Sequence, residues 1–225
     1  MALVAAGVAV ALAVVVLAPP GGRQAAAALT PPALDYTSTG LTPGEVLQEA
    51  ISRLQTTGAD GRPSRAARYT GWYLQREELP EGASRVAISP QVTDLVWRDD
   101  LSGRMTIKAG QPYWPDGSQD AIPGDAAAAP GEVIADREFA PGEFDTPFGA
   151  EPGQAHAAME ATLARARLPE TAFGTVEAIH GLLTVWSLTD RQQAELLSIL
   201  IERGGLEALG LTTDRSGREA FGLAA

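Results

Sequence analysis

With no cysteine in this 225-residue chain, most zinc sites and a Ser-His-Asp arrangement must use one of two histidines, His156 or His180. The absence of cysteine excludes thiolate zinc sites, iron–sulfur clusters, a cysteine nucleophile, disulfide staples and the acylated cysteine of a lipoprotein. His180 follows Ile179 on the stripe side of an amphipathic helical pattern. That is the place of a boundary histidine with a satisfied hydrogen bond rather than of a base or ligand. His156 and Met159 lie one helical turn apart and would offer nitrogen and sulfur to copper, but two ligands on one helix are too few, so no metal site is assigned. The nucleophile elbow, the phosphate loop, the dinucleotide turn and the metalloprotease helix are all absent from the sequence.

The carboxylates give no catalytic pair either. Asp116-Gly117-Ser118-Gln119-Asp120 superficially suggests a calcium loop, yet it lacks the alternating oxygen spacing and the closing bidentate glutamate, and reads as a solvated turn. Asp94 falls between Thr93 and Leu95 on a strand pattern, and no spacing pairs it with a second acid at the roughly 5 to 9 Å that glycoside hydrolysis needs. No catalytic residue and no cofactor are therefore expected, and the chain is read as a non-enzyme. Aromatic side chains remain: Tyr69, Trp72, Tyr73, Trp97, Tyr113 and Trp114 all fall in strand-rich text. Of these, Tyr69, Trp72, Tyr73 and Trp97 are the candidate lining of a hydrophobic-ligand cavity on a curved sheet, with plain core packing as the alternative.

The elements that carry these residues begin with an apolar run. Residues 2–18 hold no charged or polar side chain. As a helix they would reach about 26 Å, just under the roughly 30 Å hydrocarbon core. Their Val and Leu residues sum to about −4 kcal/mol on the insertion scale. Residues 1–18 are thus read as a transmembrane helix or signal-anchor, and 19–41, rich in Pro, Gly, Ala and Thr, as a flexible linker. Cleavage near Ala25–Ala28, releasing a secreted domain, is the alternative. No Lys or Arg precedes the apolar run, so a basic cytoplasmic segment is expected upstream of Met1.

Residues 42–225 read as an extracytoplasmic α+β domain. Thr42-Pro43-Gly44-Glu45 is a capping box, and Val46, Leu47, Ala50, Ile51 and Leu54 recur at helical spacing, predicting a helix over about 43–56. Four runs of β-branched and aromatic residues follow, in RYTGWYLQRE, SRVAISPQVTDLVWR, GRMTIKAG and GEVIADREF, with a hairpin turn at 99–103. Alternation puts Val92, Asp94 and Val96 on one face and Thr93, Leu95 and Trp97 on the other, while Pro90 should break its strand or mark an edge. Residues 110–131 read as a long surface loop. Helices are expected at about 152–167, 171–187 and 189–203. The second should bury Phe173, Val176, Ile179, Leu183 and Trp186, and the third Leu196, Leu197, Leu200 and Ile201. A hairpin around Arg215-Ser216-Gly217 closes the chain, and further strands are expected beyond Ala225.

The strand opening Arg68-Tyr69-Thr70-Gly71-Trp72-Tyr73-Leu74-Gln75, the helical stretches 169–185 and 189–205, and the ending with Thr213, Asp214, Gly217 and Arg218 carry a resemblance. Over about 43–225 the chain resembles an uncharacterised actinobacterial membrane-anchored family whose genes often neighbour extracytoplasmic-function sigma factors. That family is similar in outline to the lipoprotein carrier LolA and the sigma regulator RseB. The resemblance implies a curved antiparallel half-barrel sheet packed against helices, and brings no catalytic residues. The chain departs from the family at both ends, lacking the basic tail before the anchor and the closing strands after Gly222.

Charge narrows the partners. The net charge is −11, and of 17 basic side chains only Lys108 is a lysine, so nucleic acid has no basic patch to bind. An acidic exported domain meets no positive-inside barrier. The expected function is a single-pass, membrane-anchored binding or regulatory module in envelope signalling, engaging a membrane or envelope protein. The alternatives are a carrier of a lipid or other hydrophobic ligand, an exported carboxylate hydrolase and a purely structural envelope protein.

Overall fold

A computed structural model describes residues 34–57, 61–78, 84–114, 128–214 and 217–225. The apolar segment 1–18, most of the linker and the Asp116–Asp120 stretch lie outside the described residues. In chain order the elements are α1 (Pro43–Thr57), β1 (Ala66–Glu78), β2 (Ser84–Trp97), β3 (Gly103–Ala109), β4 (Val133–Phe139), α2 (His156–Ala164), α3 (Ala172–Leu183), α4 (Asp190–Arg203), β5 (Glu207–Thr213) and β6 (Glu219–Ala224). The fold is α+β, with an antiparallel sheet in the order β1-β2-β3-β4 and a two-stranded sheet β5-β6. No helix among the described residues is long and apolar enough to cross a membrane. The chain divides into two compact units, one holding 34–64 and 146–225, the other 65–145.

In the 65–145 unit, β1 pairs with β2 without interruption from Ala66↔Val96 to Glu78↔Ser84. Partners facing one another across a ladder share a face, so the register sorts the side chains. Thr93, Leu95 and Trp97 are buried, as their alternation predicts. On the other face Asp94 lies between Arg68 and Lys108, at 3.5 and 3.6 Å. Pro90, expected to break its strand or mark an edge, does neither: β2 is an inner strand and runs through it. The Pro90 carbonyl accepts from Gly110 N at 2.7 Å, one residue past the β2–β3 ladder, so the missing N–H faces a place where pairing has already ended. The β2–β3 turn closes as expected: Arg98 N donates to Ser102 O, and Ser102 N donates to the Asp100 carboxylate at 3.0 Å.

The other unit is organised by α4, which packs against α1, α2 and α3. The predicted capping box at Thr42 forms, and a second one opens α4. Glu45 N donates to Thr42 Oγ1 and Thr42 N to Glu45 Oε2, while Thr189 and Gln192 exchange the same pair of bonds at the start of α4. α2 starts later than the expected 152, because 151–153 is held outside the helix: the Pro152 and Gly153 carbonyls accept from Gln192 Nε2 at 2.9 and 3.2 Å. α3 buries Val176, Ile179 and Leu182, whereas Phe173 and Leu183, expected inside, are 45% and 41% exposed. At about 100° per residue Phe173 lies about 120° round from Ile179, and Leu183 is the last residue of its helix. In α4 it is Ile199, not Ile201, that is fully buried beside Leu196, Leu197 and Leu200.

The closing hairpin forms in the predicted place, and its second edge is capped, with Thr37 N donating to Leu211 O at 2.8 Å. Gly210 permits this approach: its φ is +113° and the Thr37 backbone occupies the space a side chain would need. Thr213, Asp214, Gly217 and Arg218, which carry part of the family resemblance, have a structural role at this turn. The buried Asp214 carboxylate accepts from Arg218 N at 2.9 Å and from Arg218 Nε at 2.7 Å.

Candidate functional site

The clearest concavity in the α4-centred unit lies between α1 and the β5-β6 hairpin. The α1 pattern turns Leu47, Ile51 and Leu54 inward and leaves Val46 and Ala50 half-buried at the flank. With Leu41, Leu211 and Phe221 these flank residues line an apolar cleft of about 210 Å³, rimmed by Glu49, Arg53 and Glu219. Leu41 and Leu211 are 47% and 41% exposed. No residue of this cleft was singled out for binding from sequence. The signal available was the width of the α1 apolar stripe, which exceeds what one packing partner covers.

The four aromatics proposed as a cavity lining occupy different positions. Register places Tyr69 opposite Thr93 and Tyr73 opposite Ser89, on the Trp97 face, whereas Trp72 faces Pro90 on the reverse. Trp97 is 2% exposed and packed, its ring centroid 5.5 Å from that of Phe144 with the Arg65 guanidinium 5.3 Å over it. Tyr73 instead borders a shallow depression of about 280 Å³ with Leu74, Pro90, Pro112 and Ile134. Tyr113 forms a β-bridge with Ile88. On β3 and β4, Arg104 grips the Asp136 carboxylate and holds its pKa below the ordinary aspartate value, mainly through their hydrogen bond.

The two histidines separate. His180 is exposed, one residue off the buried stripe of α3 rather than on it. Met159 is fully buried, so it does not join His156 at the surface. His156 meets α4 instead: Nε2 lies 3.1 Å from Glu202 Oε2 and Nδ1 3.4 Å from Glu195 Oε2. Glu160, one turn along α2, accepts from Arg203 at 3.2 Å. His156, Glu160 and Glu202 each bring one potential ligand atom within 4.8 Å of the others. This cluster was not read from sequence, because its halves are 46 residues apart.

No protein-family model, no curated protein and no solved structure matches the chain. What the described residues offer chemically is therefore argued from their geometry: an apolar cleft with charged rims, and a nitrogen and oxygen cluster between two helices.

Proposed function

We propose that the chain is a binding module tethered to the membrane by residues 1–18 through the linker 19–41. Its two units lie outside the cytoplasm and engage an envelope protein in signalling, in the manner implied by the resemblance to the sigma-factor-associated family. In this reading the four-stranded sheet is the strongly curved half-barrel of a LolA/RseB-like fold. The lengths of β1 and β2, 13 and 14 residues against a usual 5 to 6, support this, since twist and coiling accumulate along long strands.

The observation that carries the binding reading is the α1 cleft. Its volume, about 210 Å³, falls below the roughly 300–1,000 Å³ of pockets that enclose a drug-sized molecule. Apolar walls with Glu49, Arg53 and Glu219 at the rim suit one or two side chains of a protein partner, ringed by polar contacts. The carrier reading rests on the shallow depression beside Tyr73, which has an apolar wall in Leu74, Pro90 and Ile134.

The test places a photo-crosslinking residue at Ala50 of the full chain in an actinobacterial host and identifies adducts by mass spectrometry. The expected product is a conjugate with one envelope protein, abolished by Leu211→Asp in a variant that keeps its circular dichroism. A chain that crosslinks to no protein, but carries a lipid adduct in native mass spectrometry that Tyr73→Ala removes, overturns the reading in favour of the carrier.

A further inference from the structure

We propose that the surface between α2 and α4 is a divalent-cation site, in which His156, Glu160 and Glu202 bind Zn²⁺ through one nitrogen and two carboxylate oxygens. The helices preorganise the set. His156 and Glu160 are four residues apart on α2, and Glu195 and Glu202 seven apart on α4, so each pair lies on one helix face. The α2 and α4 helices pack against each other, which brings the two faces together.

The distances fit a shared ion. Zinc holds nitrogen and oxygen at about 2.0–2.2 Å in tetrahedral geometry, which puts every pair of ligands about 3.3–3.6 Å apart. His156 Nε2 and Glu202 Oε2 are 3.1 Å apart, and no separation in the set exceeds 4.8 Å. The widest separation must close by about 1.4 Å to reach tetrahedral spacing, a rotamer-scale motion for side chains that are a third or more exposed. Arg203 occupies Glu160 Oε1, and the second oxygen of that carboxylate remains for the ion.

Proton placement points the same way. A carboxylate faces each ring nitrogen of His156, Glu202 at Nε2 (3.1 Å) and Glu195 at Nδ1 (3.4 Å), so a ring protonated at Nδ1 offers the Nε2 lone pair to an ion on the Glu202 side. The order carboxylate, imidazole, metal is the arrangement that fixes the tautomer of a zinc-binding histidine. The local charge balance agrees: Arg203 lies 3.2 Å from Glu160 and 3.7 Å from Glu170. Among the described residues no Lys or Arg pairs with Glu195 or Glu202. Donors without sulfur, one imidazole and two carboxylates, select a borderline ion such as Zn²⁺ over Cu⁺ or Ca²⁺.

The experiment is calorimetric titration of the full chain, solubilised in detergent and stripped with chelator, with Zn²⁺, alongside helical melting by circular dichroism. One equivalent should bind and raise the melting temperature. His156→Ala should abolish that binding, Glu202→Gln weaken it at least a hundredfold, and Glu195→Gln weaken it about tenfold by freeing the ring. His180→Ala should leave it unchanged. If His156→Ala misfolds, Glu202→Gln carries the same expectation on a folded chain. No saturable binding by millimolar Zn²⁺ overturns the proposal. Binding that follows His180, or that survives Glu202→Gln, overturns it as well.

Discussion

Gln192 is the side chain whose replacement tests the α4-centred unit most sharply. It is fully buried, and its amide is used at both ends: Nε2 donates to the Pro152 and Gly153 carbonyls, and Oε1 accepts from Thr189 N and Thr189 Oγ1 at 3.0 and 3.2 Å. Gln192→Glu keeps the shape and the acceptor oxygen but sets a second oxygen against two carbonyls in a dry site. When protonated, the introduced carboxyl can still donate to Pro152. When ionised, it is a buried charge facing acceptors, for which the cost is about 3–5 kcal/mol. Burial therefore raises its folded-state pKa above the unfolded value. For a raised acid the folded state binds the extra proton, so the loss is small at pH 4 and grows as pH rises, by about 1.4 kcal/mol per unit, to about 3 kcal/mol near neutrality. The assay is urea unfolding of both proteins from pH 4 to 8, followed by helical circular dichroism, which reports this unit because all the described helices belong to it. Gln192→Leu, which also strands the two carbonyls but carries no charge, should lose stability by the same amount at every pH. A pH-independent deficit in Gln192→Glu would show that the amide's donor is not needed, and would refute this account of how 151–153 is anchored.

Two further outcomes follow from the packing and the charge pairs. Gly174, near the start of α3, has the Pro169 carbonyl where a methyl would go, so Gly174→Ala should cost about 1–3 kcal/mol and lower the melting temperature by several degrees, although alanine is the better helix former. An unchanged or higher melting temperature contradicts that contact. Asp136 has its pKa lowered first by the hydrogen bond from Arg104, then by Coulombic attraction. A depressed acid contributes stability above the unfolded aspartate range and loses it as pH falls through the folded value. Arg104→Gln should therefore move the Asp136 carboxyl carbon titration upward in nuclear magnetic resonance; an unmoved midpoint contradicts the pairing.

What the sequence made legible was local. Thr42 and Glu45, and Thr189 and Gln192, announce helix starts through side chains that satisfy backbone groups three residues away, and both boxes form. The strand alternation around Asp94 worked for the same reason: period two assigns a face without reference to any partner. The errors arise where a distant segment decides. α2 starts at His156 because Gln192, about 40 residues on, binds the carbonyls of 152 and 153. Pro90 is tolerated because β3 stops short of it, a fact of register invisible in the strand's own composition. Division into two units was equally hidden, since one of them is built from 34–64 and 146–225.

The same distinction applies to His156. Taken along one helix, His156 has Met159 as its nearest soft ligand, and a helix wheel cannot say that Met159 turns to the core while His156 turns to α4. Its partners, Glu195 and Glu202, are ordinary surface residues of a charged helix until α4 is placed against α2. Yet their spacing carried usable information. An i, i+4 His–Glu pair on one helix and an i, i+7 Glu–Glu pair on another each place two donors on one helix face. The candidate aromatics divide by the same rule, since an alternating strand puts Trp72 and Tyr73 on opposite faces of the ladder.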